Sequence, residues 1–431
     1  MKRGLVGNSF IYLFSNILNA AIPFLLLPIL TRMLDPEGYG MVTMFTMLVT
    51  VLGVFVGLSV HGAIGVRYYE LSSQRLTEYV SSTLLILFAS CFLLLIFIYF
   101  SDFLTDYTLL ASEWIALACT VSMCTFIVNV RLVLWQVKTQ AIKYGTLQVS
   151  MTLTNTLVSL ALIYFYKESW ESRVFGIVSA AYLFAVIAMF LLIKGGELSQ
   201  KPKIKYIKDA LKFGIPLLPH AGSAFVIAMI DRFIIASLMG EQSVGIYMVA
   251  LQFGLVMGLM ADAFNKAYSP WVYRMLSSGQ EFNKLVVTGA SYLVFLFFLI
   301  VQFPIYIFIK LAFKHIVGED FHAAFDYIIW FVIGNSFVGM YYAVSVFYFY
   351  TSKTSYLSMI SFSVGVGSTV ITYKLVSAYG LFGGAISFTI TNIVMFMLAK
   401  ICLSKIINLP WYEFKSSYIA LNQYVREQSK G

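Results

Sequence analysis

Long apolar stretches, each closed by a short polar turn, recur along the whole chain and decide most of what it can fold into. About 20 apolar residues in helical conformation cross the ~30 Å hydrocarbon layer of a bilayer. Runs of that length lie at 8–30, 38–60, 79–100, 110–135, 144–166, 173–193, 209–238, 243–265, 284–310, 322–349, 356–376 and 380–403, which predicts twelve spans. Strands of a membrane barrel would instead alternate in segments of about ten residues. The composition agrees with helices in lipid: 60% of the 431 residues are hydrophobic and 11% are charged, where a soluble domain has about a quarter charged. Near the N-terminus the apolar stretch runs on to Leu30 with no small-x-small cleavage site. That makes it a first span rather than a signal peptide.

The turns between spans are short, so no loop has room for a folded catalytic domain. Lys and Arg set the orientation. Of 29 such residues, 22 fall on the side that carries both termini and 7 on the other. Both termini are therefore expected in the cytoplasm. The net charge of +9 reflects topology, and nucleic acid is not an expected partner. The longest basic stretch, "KGGELSQKPKIKYIKDALKFG" (194–214), sits near the middle of the chain. It divides the sequence into an N-terminal six-helix lobe (1–195), a basic linker (196–208), a C-terminal six-helix lobe (209–405) and an amphipathic tail (406–431).

The two halves repeat. "LDPEGYGMV" (34–42) matches "MGEQSVGIY" (239–247), aligning Gly40 with Gly245. "SRVFGIVSAAYLF" (172–184) matches "YGLFGGAISFTIT" (379–391), aligning Phe175 and Gly176 with Phe382 and Gly383. An even number of spans per half makes a parallel repeat, an arrangement found in alternating-access transporters.

With these turns and "FGIPLLPHAG" (213–222), the chain resembles the polysaccharide-transporter branch of the MOP exporter superfamily, which includes Wzx-type oligosaccharide flippases. The resemblance covers nearly the whole chain. It implies an all-α polytopic fold with two six-helix lobes in a MATE-like V around a central cavity. The implied cargo is a polyprenyl-pyrophosphate-linked oligosaccharide of the undecaprenyl type, an O-antigen, capsule or exopolysaccharide repeat unit. It would move from the cytoplasmic to the periplasmic leaflet of a bacterial inner membrane. A polysaccharide polymerase and a chain-length regulator are partners that such a pathway implies, alongside membrane lipids. Flippases of the peptidoglycan precursor usually carry two further C-terminal spans, which sets this chain apart from them.

A polar head group crosses hydrocarbon only where the protein offers polar or cationic groups. Asn8, Tyr12, Asn16 and Asn19 share one face of the first span. Gln148, Thr152, Asn155 and Ser159 share one face of the fifth. Such stripes line cavities or join helices. Arg32, Arg67, Arg131, Arg232 and Lys266 are the candidate contacts for an anionic head group, with Asn16, Asn19, Gln148 and Asn155 beside them. Arg32 also suits a snorkelling anchor, and Arg67 and Arg131 suit a topology signal. Asp231, Asp262 and Asp326 are candidates for ion coupling. Asp231 and Arg232 are adjacent in one helix, so each is expected to find its own partner.

The same fold also serves cation-coupled multidrug exporters of the MATE type, the alternative function, although a cavity rich in arginine suits cations poorly. A membrane-bound glycosyltransferase or polymerase lacks the loop it would need. Cys91, Cys119, Cys124 and Cys402 lie inside spans without ligand spacing, and the four histidines are scattered. Neither a metal, a cofactor nor enzymatic chemistry is expected.

Overall fold

The computed structural model describes residues 2–101, Thr105, Thr108, 110–351 and 353–428. Side chains are described for these apart from 2–14, 16, 17, 20, 217, 219–228 and 354. Among the described residues there is no β-strand. In hydrocarbon every backbone N–H and C=O must be satisfied internally, and an α-helix does this within one segment.

The helices are α1 (Lys2–Met33), α2 (Pro36–Phe55), α3 (His61–Arg67), α4 (Ser73–Phe100), α5 (Ser112–Val137), α6 (Ala141–Phe165) and α7 (Trp170–Lys194). They continue as α8 (Ile204–Gly214), α9 (Leu218–Met239), α10 (Glu241–Ser277), α11 (Glu281–Ile316), α12 (Phe325–Tyr350), α13 (Thr354–Leu403) and α14 (Phe414–Gln428). Among the described residues nine helices are long and apolar enough to cross a membrane. The protein is thus an all-helical multi-pass membrane protein.

Local chemistry explains the breaks. Asp35 caps α2 by accepting the Gly38 N–H at 2.8 Å, and Pro36 follows at the first helical position, where its missing N–H costs nothing. The span expected at 209–238 is not continuous. A single 3-10 turn, Ile215–Leu217, separates amphipathic α8 from α9, because Pro216 interrupts the hydrogen-bond ladder. Conversely, α13 joins two expected spans into one 50-residue element, but Gly380 within it has φ 60° and ψ −140°, a conformation that L side chains avoid. The Thr372 and Ser387 hydroxyls lie 2.6 Å apart, where a straight helix would part them by about 22 Å. The element is a hairpin of two antiparallel arms.

The chain divides into two compact units, Met1–Phe225 with Met239–Gly245, and Val226–Leu238 with Ile246–Gly431. The basic segment 196–208, expected as a linker between the lobes, and α8 fall within the first of these units. In the second unit α14 packs on α11: the Tyr292 hydroxyl donates to the Trp411 carbonyl, and Trp411, Ala420 and Leu421 join the same apolar core as Val287 and Phe347.

The aligned glycines of the repeat meet. A Cβ on Gly40 would overlap the Glu241 carbonyl oxygen, and one on Gly245 would overlap that of Pro36. Each such Cβ would also lie 3.2 Å from the backbone nitrogen of the other glycine. Pro36 and Glu241 are equivalent positions of the repeat, so the crossing of α2 with the start of α10 is symmetric. Only hydrogen in place of a side chain lets these backbones approach so closely. Gly40→Ala should lower stability by about 1–3 kcal/mol through overpacking. Gly53→Ala in the same helix meets nothing within 4 Å and should be neutral or stabilising by up to about 1 kcal/mol. Thermal unfolding of the detergent-solubilised protein, followed by tryptophan fluorescence, checks both.

Candidate functional site

In the second unit, α9 carries two charges in its apolar length. Arg232 is 9% exposed. Contrary to the expectation of separate partners, its Nη1 donates to Asp231 Oδ1 at 3.0 Å. The long guanidinium stem curls back along the helix, which short neighbours cannot do. The Arg232 N–H donates to the same oxygen at 2.9 Å, and Nε donates to Met248 Sδ at 3.1 Å. Tyr247 completes the cluster by donating its hydroxyl to Asp231 Oδ2 at 2.5 Å. Tyr247 is fully buried, held edge-on to Phe331 with centroids 5.0 Å apart. The result is a compensated charge pair in which the arginine binds an anion and the aspartate retains a hydroxyl donor.

In the first unit the two polar stripes meet at one described pair, since the side chains of Asn8 and Tyr12 lie outside the described ones. Thr152 Oγ1 donates to Asn19 Oδ1 at 2.7 Å, tying α6 to α1. Asn155 and Ser159 accept from Arg173 Nη1, a residue of α7 that the sequence did not single out. Its signal was present: Arg173 lies 18 residues from Asn155 across one helix turn-around. These contacts join helices. The Gln148 Oε1 is buried without a partner. Asn16 lies outside the described side chains.

Arg67 and Arg131 are engaged at the lysine-rich end of this unit. Arg131, with a side chain 4% exposed, pairs with Glu197 and lies over the Trp135 ring at 4.5 Å. Lys138 pairs with the same carboxylate at 2.5 Å. Arg67 donates Nε and Nη2 to the two oxygens of Asp209, each at 2.8 Å, and Nη1 to Glu70. Those bonds, Asp209 first, raise its pKa further above its ordinary value. No local pattern marks the acidic residues of the basic segment as partners of these arginines, because 66 and 142 residues separate them.

The remaining candidates are peripheral. Arg32 is exposed in the last turn of α1, where the helix dipole favours a cation. Lys266 pairs with Asp262 one turn away at 2.6 Å, both about half exposed. Asp326 is exposed in the first turn of α12, a site that favours an anion. Among the described residues no cluster of His, Cys, Asp or Glu could hold a metal ion.

The profile of the polysaccharide biosynthesis protein family matches residues 5–276, more than half of the chain, and the chain belongs to that family. A Haemophilus influenzae relative named "Lsg locus putative protein 1" is 28% identical over 91% of this chain and 98% of its own. One from Shigella flexneri, named "Putative O-antigen transporter", is 25% identical over 89% and 95%. Among solved structures, the lipid II flippase MurJ in an inward closed conformation superposes with TM-score 0.68, 16% identity and coverage of 99% and 93%. An inward-facing MATE family multidrug transporter of the MOP superfamily gives 0.69, 14%, 90% and 95%. The protein therefore has a MATE-like fold.

Buried ion pairs lose most when one partner is removed. Glu197→Gln should destabilise the first unit by about 3 kcal/mol. In a double-mutant cycle with Arg131→Met, the combined loss should fall short of the sum of the single losses. Denaturation midpoints in detergent measure all three variants.

Proposed function

We propose that the protein translocates a polyprenyl-pyrophosphate-linked oligosaccharide from the cytoplasmic to the outer leaflet of the bacterial inner membrane by alternating access, with both termini cytoplasmic. Family membership, the O-antigen transporter among the relatives and the flippase fold support the cargo class. The observation that carries the mechanism is the buried Asp231–Arg232 pair with its Tyr247 donor.

A pyrophosphate oxygen competes with Asp231 for the Arg232 guanidinium. Arginine suits that exchange, since its planar donors accept carboxylate and phosphate alike. Once displaced, the Asp231 carboxylate faces a low-dielectric surrounding with the Tyr247 hydroxyl and the Arg232 backbone N–H as its remaining donors. Taking up a proton then relieves an uncompensated buried charge. Anion entry is thereby linked to proton uptake at the neighbouring residue, and anion release returns the proton. The membrane potential adds direction. A head group with two negative charges, leaving together with the one proton taken up at Asp231, moves one net negative charge and gains about 2.3 kcal/mol per 100 mV on leaving a negative interior.

In proteoliposomes loaded with a fluorescent polyprenyl-pyrophosphate glycolipid, Arg232→Glu should abolish translocation, and by burying two carboxylates side by side it should also lower stability by about 3–5 kcal/mol while leaving insertion intact. Arg232→Lys should retain part of the rate, because charge survives without the planar fork. Wild-type rates in Arg232→Glu would refute the site. Asp231→Asn should keep translocation but remove its dependence on an imposed proton gradient. Export of cationic dyes by the same vesicles, with no glycolipid movement, would favour the multidrug alternative.

A further inference from the structure

At the lysine-rich end of the first unit lies a cavity of about 390 Å³, walled by α3, the start of α4 and α8. Arg67, Arg75, Lys203 and Lys205 converge on it, against the carboxylates of Glu70 and Asp209. Both carboxylates are bound to Arg67, and Lys203 is held by Glu78 at 2.8 Å. Arg75 and Lys205 are exposed and make no ion pair among the described residues. Two cations at this cavity therefore remain for an incoming anion.

A neutral donor accompanies them. Tyr79 also lines the cavity. It is fully buried, and its hydroxyl lies beside Arg67 and Asp209 without a hydrogen bond of good geometry to either. An anionic oxygen in the cavity would give it a well-placed acceptor. Tyr206 of α8 packs against the Tyr79 ring, with centroids 5.7 Å apart, and fixes its direction.

The surroundings favour an anion that carries hydrocarbon. From Arg75 and Tyr79 the helix α4 continues into a span of hydropathy 2.7. Leu85, Phe88, Phe92 and Leu93 of that span are exposed, so the cavity stands at the level where an apolar outer face begins. Ile204, at the start of α8, is 71% exposed beside it. A free ion has no use for these side chains, whereas lipid chains do.

We infer that the cavity seats the phosphate head group of an anionic phospholipid. Arg75 and Lys205 contact its oxygens, Tyr79 donates to one of them, and the acyl chains lie along the outer face of α4. The lipid would pin α8 to α4 and so fix the segment that leads into α9. This site is separate from the Asp231–Arg232 pair, and its existence does not depend on what the protein transports.

The test is lipid retention by the full chain in mild detergent, read by native mass spectrometry during titration with phosphatidylglycerol or with phosphatidylcholine of the same chains. Wild type should hold one phosphatidylglycerol in preference to phosphatidylcholine. Arg75→Ala with Lys205→Ala should weaken it about 30-fold, at roughly fivefold per basic residue. Lys208→Ala with Lys212→Ala removes the same charge from α8 outside the cavity and should change retention less than about fivefold. Equal loss in the two double variants, or equal retention of the two lipids, would overturn the site. Inorganic phosphate bound as tightly as phosphatidylglycerol would overturn its assignment to a lipid.

Discussion

Hydrocarbon offers no hydrogen bonds, and three arginines on the described helices are answered from within the protein. The three answers differ. Arg173 is absorbed by neutral oxygens of α6 and serves packing. Arg131 is absorbed by Glu197 and helps tie the basic segment to α5. Arg232 is answered by its own neighbour, leaving a pair that carries no net charge and keeps its alternatives open. Only the third arrangement can exchange one partner for another without dismantling contacts between distant helices. That difference, more than burial alone, is why the proposed site rests on Arg232.

Much of the fold was legible because hydropathy and turn chemistry act locally. The order of helices, the polar turn after α1 and its second copy follow from spacing and from Asp35, Pro36 and the paired glycines. The site was less legible because its determinants are long-range. Nothing in 194–214 reveals that Glu197 and Asp209 reach back to α5 and α3. The polar stripes on α1 and α6 were visible as stripes, but their partner was each other at Asn19 and Thr152. The rule that neighbours on a helix point apart holds for Cβ directions, yet Arg232 has a stem long enough to defeat it. Pro216 was visible, and its effect was to divide a helix that hydropathy read as one.

The two ends of the first unit differ in sign. At the end where the α1–α2 and α6–α7 turns meet, a cavity of about 470 Å³ is lined by Asp35, Glu37, Glu168 and Glu171, with Lys167 among them. At the other end Arg67, Arg75, Lys203 and Lys205 dominate. An anion therefore meets attraction at one face and repulsion at the other. The gradient is built into side chains at the membrane surfaces, where solvent and salt screen it within about a Debye length of 8–10 Å. It biases arrival and departure without deepening any site between them.

The symmetric crossing at Gly40 and Gly245 has the form of an isologous interface, in which one patch contacts its own copy. Within a single chain the two copies mutate independently, but each still rests on the other's backbone carbonyl. A side chain gained at either position therefore spoils both halves of one contact. In a pair of identical half-chains a single codon would govern both sides of such a crossing, whereas here two separate positions must each stay without a side chain for the one contact to close.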